Sequence, residues 1–207
     1  MSASPAARPR VWQRMLSGRR LDLLDPSPLD IEIEDIAHGL ARVARWNGQT
    51  TGDHAFSVAQ HSLIVETIVA AVDPRPLARL AALLHDAPEY VIGDMISPFK
   101  AVMGGDYKQV EKRLQLAVHL RFGLPPELPK ELEKTIKAAD RLSAFHEAVL
   151  LAGFSRAEAG TFFGQPKRAL LSEQDFMPRP AASVGAEFIA RFQALDATTP
   201  SNRTISR

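Results

Sequence analysis

The stretch LARLAALLHDAPEYVIGD, residues 77 to 94, determines how the rest of the chain is interpreted. It begins as a segment that is apolar on nearly every face, which predicts a buried central helix. Pro88 is expected to break or kink that helix, because its ring clashes with the preceding turn. Four polar side chains, His85, Asp86, Glu89 and Asp94, follow within ten residues. Buried charge is costly unless it is paired, so this stretch predicts a functional site.

Composition restricts the classes of protein to which the chain can belong. It has 207 residues, of which 45% are hydrophobic and 24% charged, as expected for one globular domain. The net charge is +1, with basic and acidic residues interspersed, which argues against a nucleic-acid or membrane partner. There are no cysteines, so a metal site would have to use His, Asp and Glu.

Hydropathy gives no sign of a membrane or secretory segment. No run approaches the roughly 18 apolar residues of a membrane-spanning helix. The first residues, MSASPAARPR, lack the apolar centre of a secretory signal. We therefore expect a cytoplasmic protein.

Helical periodicity dominates the chain and predicts an all-α fold with a single domain. We expect an N-terminal extension over residues 1–28, the helical domain over 29–195 and a mobile polar tail over 196–207. The segment LDIEIEDI, residues 29 to 36, fits either a short strand or an acidic helix start capped by Asp30. We favour the helix, ending near Asn47-Gly48. Residues 160–180 are expected to be irregular.

Three predicted helices each direct metal-binding groups inward. His61 lies on the apolar side of its helix, opposite Glu66, which is expected to face water. His85 and Asp86 end the buried helix, and Asp140 lies on the inward side of a later one. Taken singly, each has an ordinary structural explanation, such as a core histidine or a helix cap. Together, two imidazoles and two carboxylates suit one divalent ion of Mn, Co, Fe, Ni or Zn, with coordination positions left open for hydrolysis.

The ordered set His61, His85-Asp86 and Asp140 resembles the H…HD…D signature of the HD-domain metal-dependent phosphohydrolases, which are all-helical. Arg45-Trp46, the segment SVAQHS and the segment HDAPEYVIGD are similar to the bacterial 5′-deoxynucleotidase branch. The resemblance covers roughly residues 30 to 150, and it implies an HD-domain helical bundle with the four residues as metal ligands.

The resemblance also implies roles for four further residues. Glu89 would orient or deprotonate the attacking water, and Asp94 would protonate the leaving oxygen or bind the sugar. Arg45 would hold the phosphate, and Trp46 would pack against the nucleoside. The alternatives are a surface residue at a helix end for Glu89, a cap for Asp94, a helix-end cation for Arg45 and a core residue for Trp46.

Other residues carry weaker signals. His38 and His54 are candidates for contacts behind the metal ligands or with phosphate. His119 is expected to be exposed. It is the only histidine between the HD pair and Asp140, whereas two-metal members of the HD family need additional histidines there, so the resemblance implies one metal. Lys100 and Lys108 are interpreted as solvated, with contact to additional phosphates as the alternative.

The leading hypothesis is a deoxyribonucleoside 5′-monophosphate phosphatase that uses one divalent metal ion. One alternative is a deoxynucleoside triphosphate or pyrophosphate hydrolase of the same family. Another is a non-catalytic HD module in which the metal is structural and the helical surface binds a partner. The expected partner is a small nucleotide, and a homodimer is left open.

Overall fold

The computed structural model describes residues 11–96, 105–166 and 171–198, except for the side chains of residues 105 and 106. The described chain is mostly helical, which confirms the all-α prediction. Its α-helices are α1 (Ile33–Leu40), α2 (Val58–Ala70), α3 (Pro76–Leu83), α4 (Glu89–Ile92), α5 (Gly105–Arg121), α6 (Lys130–Leu150), α7 (Arg156–Phe163) and α8 (Ala181–Asp196). Short 3-10 helices cover Pro28–Asp30, Arg45–Gly48 and Glu173–Phe176. None of the described helices is long and apolar enough to cross a membrane.

A small hairpin precedes the helices. Strand β1 (Trp12–Arg14) pairs antiparallel with β2 (Arg20–Asp22), and Gly18 turns between them with φ of +88°. These strands are only three residues long and were not predicted from the sequence. Leu21 is fully buried in the same core as the helices, so part of the expected N-terminal extension contributes to that core.

Helix α2 is the centre of the molecule. Ser57 caps it by accepting a hydrogen bond from the Gln60 amide at 3.2 Å. Eleven of its 13 residues are buried, because it packs against α3, α6 and α8. The helix is therefore enclosed on almost all sides, and its polar residues must find partners inside the protein.

Glu66 shows what this enclosure requires. The expectation that it faces water is wrong, because the side chain is fully buried. It accepts a hydrogen bond from Arg79 Nε at 2.6 Å on α3, and Arg191 on α8 pairs with its other oxygen. Arg79 lies 13 residues and Arg191 125 residues after Glu66, both on other helices, so the periodicity of α2 alone could not reveal these pairs.

The segment before α2 differs from the predicted long helix. Asp30 lies in a 3-10 helix, Glu32 occupies the N-cap of α1, and α1 ends at Leu40. Ala44 then forms an isolated antiparallel β-bridge with Ser57. This contact between residues that are not neighbours in sequence ends the helical hydrogen bonding of α1 early. It also holds the residues that follow Ala44 beside the start of α2.

Two further expectations are corrected in the second half of the chain. His119 is buried rather than exposed, with Nδ1 2.9 Å from the Pro125 carbonyl oxygen. Helix α6 ends at Leu150, and α7 follows with a capping box between Ser155 and Glu158. This helix extends into a region that was expected to be irregular.

Gly39 sets the distance between α1 and α4. A Cβ atom there would lie 2.8 Å from both the Cβ and the carbonyl oxygen of Tyr90. We expect Gly39→Ala to lower the free energy of unfolding by about 1–3 kcal/mol, because α4 must move to accept the methyl group. Urea unfolding measures this loss.

Gly185 on α8 provides the matched control. A Cβ there would meet Ala41 Cβ at 3.6 Å, which is ordinary contact. Gly185→Ala should therefore be neutral or stabilising by up to about 1 kcal/mol. Equal stability of the two variants would show that the approach of α1 to α4 tolerates a side chain.

Candidate metal centre

The four residues predicted as metal ligands come from three places in the fold: His61, His85 and Asp86 form one compact group, and Asp140 approaches that group through His61. His61 lies in the first half of α2, His85 and Asp86 in the turn between α3 and α4, and Asp140 in α6. His61 Nε2 is 3.3 Å from Asp140 Oδ1 and 3.5 Å from Asp86 Oδ2. His85 Nε2 is 3.2 Å from Asp86 Oδ2. The ligand atoms of His61, His85 and Asp86 all lie within 4.8 Å of one another.

Both imidazole rings are oriented by a contact at Nδ1. His85 Nδ1 is 2.9 Å from the Ala82 carbonyl oxygen, in the last turn of α3. His61 Nδ1 is 2.6 Å from Glu147 Oε1. A ring that donates from Nδ1 presents Nε2 as the remaining nitrogen, which is how metal-binding histidines are commonly held.

These side chains fit a divalent cation. The Nε2 atoms of His61 and His85 are buried and have no well-aligned hydrogen bond, although buried polar atoms normally find partners. The imidazole nitrogens of His61 and His85 and a carboxylate oxygen of Asp86 are the kinds of ligand that divalent metals take in proteins, and Asp140 offers a further oxygen near His61.

The electrostatics of the cluster also favour a cation. Burial and the nearby charge of Arg45 lower the pKa of His61, but Glu147 and Asp140 outweigh both and raise it to about 10. Burial raises the pKa of Asp86, yet His85, His61 and Arg45 bring it well below its usual range. The pKa of Asp140 is also lowered: burial opposes this shift, and the close approach of His61 Nε2 at 3.3 Å causes it. The centre therefore holds ionised carboxylates and attracts positive charge.

Glu147 is the site residue that the sequence analysis missed. It is fully buried and seven residues beyond Asp140 on α6, which places it on the same face two turns later. Burial raises its pKa, but Arg45 and His61 lower it far below the usual range of a glutamate. The available signal was its position among Ala144, Phe145 and Ala148 on an apolar face.

Arg45 is joined to the cluster through Glu147. Its side chain is 13% exposed, with Nε 3.2 Å from Glu147 Oε2 and Nη1 3.5 Å from Asp94 Oδ2. Burial alone would lower its pKa, but Glu147, Asp94 and the two aspartates of the cluster raise it. Arg45 is thus held as a cation between the candidate metal centre and Asp94.

Trp46 adopts an uncommon backbone conformation, with φ of 58°. Its indole N–H donates to Glu147 Oε2 at 2.9 Å. Its ring packs near Phe154 and Phe163, with centroid separations of 5.7 and 5.9 Å. A left-handed conformation is strained for a bulky residue and is often found at functional sites, and these contacts hold it in place.

Two cavities adjoin the site. One of about 530 Å³ is lined by His85, Asp86 and Glu89, together with Pro88, Lys108, Glu111, Lys112 and Gln115. The other, of about 310 Å³, is lined by Asn47, Asp94, Met95 and Ile96. Glu89, the first residue of α4, is 3% exposed rather than a surface residue. Glu89 and Asp94 therefore lie on different cavities.

The structure gives less support to the histidines and lysines with weaker sequence signals. His38 lies in the last turn of α1, and His54 is exposed in the loop before α2. Among the described contacts, neither hydrogen-bonds to a residue of the centre. Lys100 lies outside the described residues, whereas Lys108 lines the larger cavity.

A helical frame that encloses such a His/Asp cluster is the arrangement expected of the HD-type class of proteins. Residues 36–171 match the family described as 5′-deoxynucleotidase YfbR-like, and the chain belongs to this family. The predicted resemblance to bacterial 5′-deoxynucleotidases is confirmed at this level.

Two relatives extend the comparison. An uncharacterized protein of Rhodobacter capsulatus is 61% identical over 188 residues, which cover 90% of this chain and 96% of that protein. The uncharacterized protein YfdR of Escherichia coli is 36% identical over 97 residues, which cover 47% of this chain and half of that protein.

The geometry of the cluster predicts one divalent ion per chain. We expect His85→Ala and Asp86→Ala to abolish its binding, because each removes a ligand from a four-residue set. Elemental analysis after exposure to Mn, Co or Zn and dialysis measures the ratio of metal to protein. His54→Ala is the matched control, since His54 is exposed. Two ions per chain, or full occupancy in either ligand variant, would contradict the assignment.

Proposed function

We propose that the protein is a metal-dependent 5′-deoxynucleotidase, which hydrolyses deoxyribonucleoside 5′-monophosphates to the nucleoside and inorganic phosphate. The observation that carries this proposal is the position of Arg45, which contacts Asp94 at 3.5 Å and is joined to His61 of the cluster through Glu147, their common partner. Membership of a 5′-deoxynucleotidase-like family supports the reaction class. The cytoplasmic location and a homodimer stay predictions from the sequence.

His61, His85, Asp86 and Asp140 would hold one divalent cation. Such an ion, when bound, withdraws charge from a phosphoryl group and lowers the pKa of a nearby water. Asp86 and Asp140 are partly exposed, at 23% and 38%, whereas His61 is fully buried. The open side of the centre therefore lies towards the two aspartates, where a phosphate can approach.

Arg45 would bind the phosphate of the substrate. Its Nε is occupied by Glu147, while its Nη1 makes the longer contact with Asp94. The planar guanidinium can thus turn its outer nitrogens to a phosphate oxygen without losing its inner partner.

Glu89 would accept a proton from the attacking water. It lines the larger cavity together with His85 and Asp86, so a water beside the cluster is within its reach.

Asp94 and Asn47 line the smaller cavity, where the nucleoside would sit, and Trp46 is the residue before Asn47. There it would protonate the leaving 5′-oxygen or accept a hydrogen bond from the sugar. In-line displacement places the water and the leaving group on opposite sides of phosphorus, and two separate cavities suit that requirement.

A second candidate function is hydrolysis of nucleoside triphosphates or pyrophosphates. It is favoured by Lys108 and Lys112, which lie one turn apart on α5 and line the same cavity as Glu89. Longer phosphate chains could contact both cations. The third alternative, a non-catalytic metal module, does not require a buried Glu89 or a buried Arg45 beside the cluster.

A phosphate-release screen distinguishes these candidates. Metal-stripped protein is supplied with Mn, Co, Ni, Fe or Zn, and offered deoxynucleoside mono-, di- and triphosphates alongside the ribonucleotides. We expect the highest kcat/KM for a deoxyribonucleoside 5′-monophosphate. Preference for triphosphates would favour the second candidate, and no turnover with any metal would favour the non-catalytic module.

Glu89→Ala should retain the metal and lose turnover. The side chain lies beside the cluster but is assigned to the water, and loss of a general base typically lowers the rate by ~10²- to 10⁴-fold. Parallel measurement of bound metal and of kcat tests this separation. Glu133→Ala, an exposed glutamate on α6, is the control. Wild-type kcat in Glu89→Ala would remove Glu89 from the mechanism.

Arg45→Lys should weaken phosphate binding although it conserves the charge. Lysine lacks the planar fork that contacts Glu147 and phosphate together, so kcat/KM should fall by about 10-fold or more, and further in Arg45→Ala. Steady-state kinetics at saturating metal, with exposed Arg42→Ala as the control, provide the measurement. If both substitutions lower the melting temperature and leave kcat/KM unchanged, Arg45 is structural.

A further inference from the structure

Glu147 is placed where it can act on two parts of the candidate site at once. We propose that it is a positioning residue, which fixes the tautomer of His61 for metal binding and holds Arg45 beside the metal centre. This inference rests on the proposed function and adds a residue to it.

Each carboxylate oxygen of Glu147 serves a different pair of donors. Oε1 is 2.6 Å from His61 Nδ1 and accepts from Ser143 Oγ at 2.7 Å. Oε2 accepts from Arg45 Nε at 3.2 Å and from Trp46 Nε1 at 2.9 Å. The side chain is fully buried, so water cannot replace any of these four contacts.

The chemistry of the four donors explains why a carboxylate is required. Arginine and tryptophan nitrogens can only donate hydrogen bonds, whereas histidine and serine can donate or accept. An ionised carboxylate only accepts, so it obliges His61 to keep a proton on Nδ1. Nε2 is then the nitrogen left for a metal ion, which displaces any proton there, and it lies on the side of Asp86 and Asp140.

The same residue relates the metal centre to the phosphate-binding side chain. His61 belongs to α2, and Arg45 to the segment that forms a β-bridge with the start of α2. Glu147 comes from α6, which also carries Asp140. The side chain of Glu147 alone therefore links Arg45 to His61, the candidate metal ligand, and fixes the position of one relative to the other.

Glu147→Gln tests the tautomer directly. The amide of glutamine has one accepting and one donating end, and Arg45 and Trp46 both need the accepting end. The NH₂ group must then face His61 and Ser143, so His61 has to accept at Nδ1 and carry its proton on Nε2. We expect the dissociation constant for Zn²⁺ or Mn²⁺, measured by chelator competition, to rise roughly 10- to 100-fold.

Glu147→Asp separates this role from simple filling of the core. Aspartate only accepts hydrogen bonds but is one methylene shorter, whereas glutamine has nearly the same shape as glutamate. A positioning role predicts that the aspartate variant binds metal more tightly than the glutamine variant. A purely structural role predicts the opposite order, with the isosteric glutamine closer to wild type. If the glutamine variant does not fold, the aspartate variant alone decides: metal binding within a few-fold of wild type supports the inference, and lost binding contradicts it.

Ser143→Ala is the matched control, because it removes the other donor to Oε1 without affecting the proton on His61. It should lower the melting temperature of the metal-free protein and change the metal dissociation constant by no more than about threefold. Nitrogen-15 NMR of the Zn²⁺-loaded protein adds a readout that packing does not alter: the His61 proton should be on Nδ1 in the wild type.

The outcomes separate this inference from the proposed function. Unchanged metal affinity in Glu147→Gln overturns the inference, even if the wild type hydrolyses nucleotides as proposed. Conversely, a wild type that binds metal but hydrolyses no nucleotide overturns the proposed function, while the ratio of dissociation constants still decides the role of Glu147. A wild type that takes up no divalent metal contradicts both.

Discussion

The contact between His61 and Glu147 is the interaction on which the site depends. It joins the central helix α2 to α6 through two side chains that are both fully buried. A histidine and a glutamate in that position are unfavourable unless each satisfies the other. Once they are paired, the hydrogen bond between them fixes the orientation of both side chains, which apolar packing alone would not do. The enclosed core therefore fixes the orientation of one metal-binding nitrogen, and the remaining groups are arranged around it.

Burial decreases from this pair towards the surface. His61 and Glu147 are fully enclosed and Arg45 is 13% exposed, whereas Asp86 and Asp140 reach solvent. The inner groups are held by several hydrogen bonds each, so their geometry does not depend on a ligand. The outer carboxylates face the open side, where a substrate would enter. This division allows a rigid interior to define the positions from which the exposed groups act.

The sequence was sufficient for the all-α fold and for the grouping of His61, His85 and Asp86, because their signals are local. A histidine on an apolar face can be recognised within a single predicted helix, and so can an HD dipeptide at the end of a buried helix. Glu147 and Glu66 were not recognised, since a glutamate in a helix normally faces water. Their burial depends on arginines from distant segments: Arg45 lies 102 residues before Glu147, and Arg191 lies 125 residues after Glu66. The early end of α1 had a similar cause, because the bridge between Ala44 and Ser57 is a tertiary contact.

The two buried glutamates nevertheless differ in a way that separates structure from function. Glu66 is satisfied by Arg79 and Arg191, two side chains that contact no residue of the centre in the described contacts, and it ties α2 to α3 and α8. Glu147 is satisfied by a candidate metal ligand and a candidate phosphate-binding residue. A buried ion pair does not by itself show function, since replacement by apolar residues is often tolerated. What distinguishes Glu147 is that two of its partners, His61 and Arg45, are groups whose remaining nitrogens face the site, so its removal would change the chemistry of that site as well as the packing of the core.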